Sequence, residues 1–221
     1  MRPKLDWRVS LSGAALCLAY ACAAALPGPA SAQETQGTTP TATASKVAVS
    51  DRRMNVRTGR RAVVRGTIQP AGSIVSLQIR LGKRWTTLDR DRTDQRGAYL
   101  LRDRVRRPLS ARARVKVSHG PAGSRRIGRL NVYRSAYASW YGPGLYGNQL
   151  GCGGRLGYSQ LGVAHKTLPC GTKVTLRHRG RMVRVRVIDR GPYVGGREYD
   201  LTAATARRLK FQGHGAIQST K

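Results

Sequence analysis

The stretch VRVRVIDRGPY, residues 183–193, decides how the C-terminal part of this chain folds. Val and Arg alternate through its first half, which predicts a strand with one buried face and one solvated face. The alternation stops at Asp189, and Arg190, Gly191 and Pro192 behind it indicate a turn. The sequence therefore places a carboxylate at the end of a strand, in a chain with 41 Lys and Arg but only 10 Asp and Glu.

The segments around this stretch also have the pattern of short β-strands. Strands are predicted over residues 173–177, 182–188, 198–199 and in 213–217. Thr202 has the residue type preferred at a helix N-cap and predicts one short helix, over residues 203–210. We therefore expect an all-β unit with a single helix from residue 134 to 221.

Residues 47–133 contain short alternating segments at 62–68, 74–79, 85–88, 98–101, 113–117 and 130–132, separated by Gly- and Pro-containing turns. This spacing predicts a small β-sandwich. Trp85 is expected in its core, with an exposed, sugar-stacking position as the alternative. Asp89, Asp91 and Asp94 have a spacing found among calcium ligands, but arginines interleave and no EF-hand glycine follows, so a solvated turn is predicted instead.

The N-terminus has the composition of a targeting segment. Basic residues, a short apolar run and a small-residue end predict a secretory signal peptide over residues 1–32. A membrane anchor and a lipoprotein anchor on Cys22 are the alternatives. Residues 33–46, rich in Thr, Ala and Pro, predict a disordered linker. We expect a secreted protein, extracellular or associated with the cell wall.

The net charge of +31 narrows the choice of partners. Such a charge usually indicates nucleic acid. Export argues against nucleic acid, and no basic block with interleaved aromatics is present. Anionic cell-wall polymers are the predicted partners of the basic surface, with a solvated surface of no specific role as the alternative.

Two cysteines, Cys152 and Cys170, remain after removal of the signal peptide. An even pair in an oxidising compartment predicts a disulfide. A metal site is the weaker interpretation, because His165 as a further ligand still leaves the coordination sphere incomplete. We predict no metal and no cofactor.

Five motifs of the C-terminal part resemble the rare lipoprotein A family: ASWYG (138–142), AHKTLP (164–169), GTKV (171–174), VIDRGPY (187–193) and YDLT (199–202). The resemblance implies a six-stranded double-psi β-barrel and a lytic transglycosylase that cuts peptidoglycan glycan strands. Residues 47–133 more loosely resemble bacterial immunoglobulin-like domains. The expected architecture is an immunoglobulin-like β-sandwich followed by the barrel, as a monomer.

Asp189 is the predicted general acid and base, because lytic cleavage needs one carboxyl group to protonate the glycosidic oxygen and then to accept the proton of the sugar's 6-hydroxyl. The alternative is a carboxylate that only holds the turn. The resemblance places His165 beside it as an assisting residue, with a structural role in a turn as the alternative. Predicted substrate-binding residues are Trp140, Tyr141, Arg190, Tyr193 and Asp200. For Asp200, securing the start of the helix is the alternative, and for Trp140 a core position.

The chain departs from the family at residues 148–158, where the acidic residues that relatives carry are absent. The same segment contains Cys152 within a glycine-rich loop. This departure keeps a second function open, a non-catalytic protein that binds peptidoglycan or another wall glycan in the same groove.

Overall fold

The computed structural model describes residues 47–120 and 122–221. The predicted signal peptide (1–32) and linker (33–46) lie outside the described residues. Within them, no helix has the length and hydrophobicity needed to span a membrane.

The described chain forms thirteen strands and one short helix. In chain order these are β1 (Ala48–Arg53), β2 (Asn55–Arg57), β3 (Arg61–Thr67), β4 (Ile74–Leu81), β5 (Arg84–Arg92), β6 (Ala98–Arg104), β7 (Leu109–His119), β8 (Ser124–Tyr141), β9 (Val163–Ala164), β10 (Lys173–His178), β11 (Arg181–Asp189), β12 (Tyr199–Thr202), α1 (Ala203–Leu209) and β13 (Gly215–Ser219). Most of the strands predicted from alternation are confirmed.

The N-terminal part buries its apolar residues between two groups of strands. β1, β3 and β6 form a three-stranded antiparallel sheet, and β5, β4, β7 and β8 follow one another in a second sheet. Val64 and Leu101 of the first sheet and Leu77 and Val115 of the second belong to one fully buried cluster. The immunoglobulin-like interpretation of this part stays a prediction.

Two carboxylates of β5 join these two sheets, and a third holds the connection between β5 and β6. Asp89 and Asp91 of β5 accept hydrogen bonds from the backbone N–H groups of Arg102 and Leu100 in β6, each at 2.7 Å. Asp94 accepts the backbone N–H groups of Arg96 and Ala98 in the following turn. The predicted solvated turn is therefore wrong for Asp89 and Asp91, which are half-buried within β5, and fits only Asp94, which is exposed after the end of that strand.

β8 is long enough to serve both parts of the chain. Its first half pairs with β7 and contributes Leu130 and Val132 to the N-terminal core, whereas its second half contributes Ala136 and Ala138 to a separate core. The expected division at residues 133 and 134 therefore lies inside a continuous strand.

The C-terminal part arranges six strands in a circuit of pairings. β8 pairs with β13 and β12, β12 pairs with β9, β9 with β11, β11 with β10, and β10 with β13. Val185, Val187, Leu176 and Leu201 fill the core of this part. A mostly β structure with one short helix is thus confirmed.

The helix starts where the sequence predicts. Thr202 is its N-cap, and its side-chain oxygen accepts a hydrogen bond from the backbone N–H of Thr205. The strand β12 extends to Thr202, three residues beyond its predicted end, so the acidic residue Asp200 lies within a strand and not at the helix start. It is this extension that brings Asp200 against β8.

Candidate active site

Asp189 ends β11, in which three buried valines alternate with exposed arginines before Ile188. The strand stops here because the chain turns at Gly191, whose φ of 116° lies in the region that favours glycine. One carboxylate oxygen, Oδ1, accepts the backbone N–H of Gly151 at 2.7 Å and that of Arg190 at 2.8 Å. Both bonds fall on the same oxygen, so Oδ2 is left for other partners.

Gly151 holds Asp189 from the loop that precedes β9, and sequence reasoning did not single it out. A Cβ added at Gly151 would lie 2.8 Å from Cγ and 3.1 Å from the backbone N of Arg190. Only glycine lets the loop approach closely enough for the hydrogen bond to Asp189. The signal in the sequence was the glycine-rich character of residues 142–162, which does not identify one position.

Asp200 lies on β12, and its neighbour in the parallel pairing with β8 is Ser139. The Ser139 hydroxyl donates a hydrogen bond of 2.9 Å to Asp200 Oδ1. Burial raises the pKa of Asp200, and the nearby Asp189 carboxylate raises it further, against the opposing effects of Ser139 and Arg197. The two acids are therefore close enough to influence each other, although they come from separate parts of the sequence.

Tyr141 follows Ser139 by two residues on β8, so both side chains lie on the same face of the strand. Its hydroxyl is buried and lacks a hydrogen bond of normal geometry to any described residue. Burial raises the pKa of the Tyr141 phenol, and the Asp189 and Asp200 carboxylates add to that increase. We refer to Ser139, Tyr141, Asp189 and Asp200 as the acid site.

His165 lies beside Asp189 through the main chain, since its backbone N–H donates to the Asp189 carbonyl oxygen at 3.2 Å. Its side chain is turned to its own loop, where Nδ1 accepts the backbone N–H groups of Thr167 and Leu168 at 3.1 and 3.0 Å. The neutral ring therefore carries its proton on Nε2. Burial lowers the pKa of His165, which favours this neutral form.

The Arg190 side chain makes its hydrogen bonds with His165 and the loop that follows it. One guanidinium nitrogen donates to the carbonyl oxygens of His165 and Leu168, and the other contacts the sulfur of Cys170 at 2.9 Å. Cys170 forms the predicted disulfide with Cys152. The disulfide thus fixes the residue next to Gly151, which in turn holds Asp189.

The remaining predicted residues are spread around this site. Trp140 lies between Ser139 and Tyr141 and so points to the other face of β8, where its side chain is 38% exposed. Tyr193, in the loop after Pro192, is 82% exposed and makes none of the hydrogen bonds that connect the acid site. Glu198, the remaining acidic residue of the C-terminal part and not a predicted site residue, forms an ion pair with Arg134 through two hydrogen bonds, and this partner lowers its pKa. The structure therefore brings Tyr141, Asp189 and Asp200 together, but not Trp140 and Tyr193.

The described part of the chain contains no cluster of side chains suited to a metal centre. No group of three or more His, Cys, Asp or Glu residues there is arranged to hold an ion.

The C-terminal part of the chain is similar to proteins of known function. A family model described as lytic transglycolase, a double-psi β-barrel model, matches residues 133–220. The protein named probable endolytic peptidoglycan transglycosylase RlpA is 42% identical to this chain over 105 residues in a Synechocystis strain and 38% identical over 97 residues in Aquifex aeolicus. Endolytic peptidoglycan transglycosylase RlpA from a Neisseria meningitidis strain is 36% identical over 118 residues.

Each match covers only part of this chain and only part of the relative. They cover 47%, 43% and 51% of this chain, and 31%, 43% and 49% of the respective relatives. The chain therefore spans about a third to a half of the length of the curated relatives that it matches. Within that share, the matches support a double-psi β-barrel domain of the lytic transglycosylase type over residues 133–220.

Proposed function

We propose that the protein is exported and cleaves peptidoglycan glycan strands as a lytic transglycosylase, with the acid site as its catalytic centre. The observation that carries this proposal is the pair of carboxylates Asp189 and Asp200, which lie near each other in different environments. Two neighbouring acids with different environments are the usual arrangement for acid and base roles in one site. The family match over residues 133–220 supports the same reaction class.

The two carboxylates suit different tasks. Burial raises the pKa of Asp200, so this group retains a proton to a higher pH than an ordinary aspartate and suits the role of acid. Asp189 accepts two backbone hydrogen bonds on Oδ1, which its ionised form satisfies. The expectation that Asp189 alone is acid and base is thereby refined: Asp200 provides the proton, and Asp189 serves as the base.

The reaction then proceeds without water. Asp200 protonates the glycosidic oxygen, the bond from C1 to that oxygen breaks, and the leaving sugar departs as an alcohol. The Asp189 carboxylate stabilises the positive charge that develops at C1. The 6-hydroxyl of the same sugar forms a new bond to C1 and gives its proton to Asp189, which leaves a 1,6-anhydro sugar. Transfer of that proton from Asp189 back to Asp200 restores the starting state.

The other residues would position the strand. His165 in its neutral form offers Nε2–H as a donor for a sugar hydroxyl. Tyr193, which is largely exposed, offers a ring on which a sugar can stack, and Tyr141 offers a buried hydroxyl near the two carboxylates. For Arg190 the observed contacts favour holding the loop over binding the substrate.

A second function, binding of a wall glycan without cleavage, is favoured by one observation. Asp189 is held by backbone donors in the way of a carboxylate that stabilises a turn. In that case the groove around Asp200 and Tyr141 would retain a glycan strand and form no product.

Incubation of the purified protein with peptidoglycan, followed by mass spectrometry of the soluble fragments, separates these functions. The proposal expects fragments that end in 1,6-anhydro sugars and no fragments with the added mass of water. Glycan binding without any such product would support the second function and contradict the first.

A further inference from the structure

Positive charge is concentrated where β7 and β8 meet β10 and β11. Three adjoining depressions on this surface share basic lining residues. The first and second share Arg112 and Arg129, the first and third share Lys173 and Arg184, and the second and third share Arg80. No Asp or Glu lines any of the three. We call this surface the junction cleft; its basic residues are Arg80, Arg112, Arg126, Arg129, Lys173, Arg184, Arg186 and Lys221.

The strand register places like charges of the junction cleft opposite each other. Arg112 is the direct partner of Arg129 in the pairing of β7 with β8, and Lys173 is the partner of Arg186 in the pairing of β10 with β11. Like charges at directly opposed positions destabilise a sheet. The fold thus carries a repulsion that a bound anion would remove.

Hydrogen bonds at Ser110 connect the two walls of the cleft, one formed by β7 and β8 and the other by β10 and β11. The Arg129 side chain donates to the Ser110 hydroxyl at 3.0 Å and to its carbonyl oxygen at 2.6 Å. Thr175 of β10 donates to the same hydroxyl at 3.2 Å, which connects β10 to β7. Arg129 is therefore fixed before any ligand arrives, and a fixed cation loses less conformational freedom on binding.

The arginines of the cleft also lack acidic partners. Burial and repulsion by Arg184 and Arg112 lower the pKa of Arg129, and burial and repulsion by Arg112 and Arg186 lower that of Arg184. Within residues 47–120 and 122–221, the one ion pair is Arg134 with Glu198, outside this surface.

We propose that the junction cleft binds a polymer of polyol phosphates, in which phosphodiester groups repeat along the chain. A guanidinium group has the fork geometry that matches phosphate oxygens. The two free oxygens of a phosphodiester diverge from a tetrahedral centre, so arginines from opposite walls can share one group. A row of cations across three adjoining depressions suits an anion that repeats.

The aromatic content of the cleft distinguishes this ligand from a nucleic acid. Single-stranded nucleic acids are held by basic grooves in which bases stack on exposed aromatic rings. The aromatic ring that lines the cleft is that of Trp85, and the Arg114 guanidinium lies over it at 4.1 Å from the centroid. A polymer without bases is therefore the better fit. The acid site contributes no residue to the cleft, so this proposal does not rest on the cleavage reaction.

The test measures the affinity of the full protein for a synthetic glycerol phosphate oligomer by titration calorimetry. The variant R112Q/R184Q removes one cation from each wall, and neither side chain donates a hydrogen bond to a described residue. The matched control R65Q/R102Q removes the same net charge from two exposed positions on β3 and β6. We expect the dissociation constant to rise at least about tenfold in the cleft variant and less than about twofold in the control, since ~1.4 kcal/mol corresponds to a factor of ten.

Equal losses in both variants would overturn the proposal, because they would mean attraction by overall charge. Two further probes, polygalacturonate and an oligothymidylate of equal charge, test the ligand class. Both are expected to bind more weakly than the glycerol phosphate oligomer. Polygalacturonate binding that is as tight and as sensitive to R112Q/R184Q would exclude phosphodiester specificity, and tighter oligothymidylate binding would replace the polyol phosphate with a nucleic acid. Thermal melts of both variants confirm that they fold.

Discussion

The acid site and the junction cleft use charge in opposite ways. At the acid site, Asp200 and Asp189 come from different strands, and specific donors hold each one: a serine hydroxyl for the first and backbone N–H groups for the second. In the junction cleft the charges are numerous, of one sign, and without acidic partners. A few well-held charges suit chemistry at one atom, whereas many unpaired charges suit retention of a polymer.

Loss of either carboxylate is expected to have the largest effect. D189N and D200N keep the side-chain shape but remove the titrating group, so formation of anhydro products should fall about 100-fold or more, the range of general acid and base catalysis. The control is D103N, a carboxylate change on β6, which should leave product formation unchanged. Full activity of D189N or D200N, measured by mass spectrometry, would remove that residue from the mechanism.

Removal of the disulfide should have the next largest effect. The bond closes an 18-residue separation, for which the loop-entropy model gives about 3 kcal/mol. C152S/C170S should therefore melt roughly 6–12 °C lower, at the 2–4 °C per kcal/mol typical of this chain length. It should also lose activity, because Gly151 is no longer fixed beside Asp189.

Reductant provides the internal control for this prediction. It should lower the melting temperature of the unmodified protein and leave that of C152S/C170S unchanged. A normal melting temperature in the double variant would show that the packing of the loop, without the bond, determines its position.

A methyl group at position 151 tests the hydrogen bond to Asp189 alone. G151A places Cβ against the backbone N of Arg190, so the loop must shift and the bond of 2.7 Å must lengthen. We expect a loss of activity of at least about tenfold, because a hydrogen bond to a charged group contributes ~1.5–3 kcal/mol and ~1.4 kcal/mol corresponds to a factor of ten. G157A is the matched control in the same loop, where an added Cβ meets only the Gln160 side chain at 3.8 Å. Equal activity of the two variants would contradict the role given to Gly151.

The pH dependence of stability should reveal Asp200. Its pKa is raised in the folded protein, so the unfolded state releases the proton more readily. The free energy of unfolding should therefore decrease as the pH rises from the ordinary aspartate pKa through the raised one. D200N should lack this decrease and be more stable at neutral pH, as measured by chemical denaturation across pH. A dependence unchanged in D200N would assign the decrease to another group.

The smallest effect is expected in the junction cleft. R184Q removes a charge that Arg112 and Arg186 repel, so the melting temperature should rise slightly at low salt. The difference should vanish near 1 M salt, where the screening length is about 3 Å. R65Q, which removes an exposed charge from β3, should not show this salt-dependent gain. A lower melting temperature of R184Q at low salt would mean that its contacts outweigh the repulsion.

Local patterns in the sequence were sufficient for the elements that carry the site. Alternation predicted β11 and its end at Asp189, and the residue type of Thr202 predicted the start of α1. The core position predicted for Trp85 is wrong: the residue is half-buried at the junction cleft, outside the buried core, and the Arg114 guanidinium lies over its ring. A tryptophan within a strand carries no local signal of which partner will cover it.

The sequence by itself determined the β class, the capped helix, the scarcity of acids and the pair of cysteines that form the disulfide, because each depends on residue type or on neighbours a few positions away. Only the tertiary structure decided that Asp200 lies beside Ser139, that Gly151 holds Asp189, and that basic residues of β7 and β8 meet those of β10 and β11. Ser139 and Asp200 are 61 positions apart in the sequence, and Gly151 and Asp189 are 38 apart, so no local pattern predicts these contacts. The burial that raises the pKa of Asp200 exists only after the strands have paired.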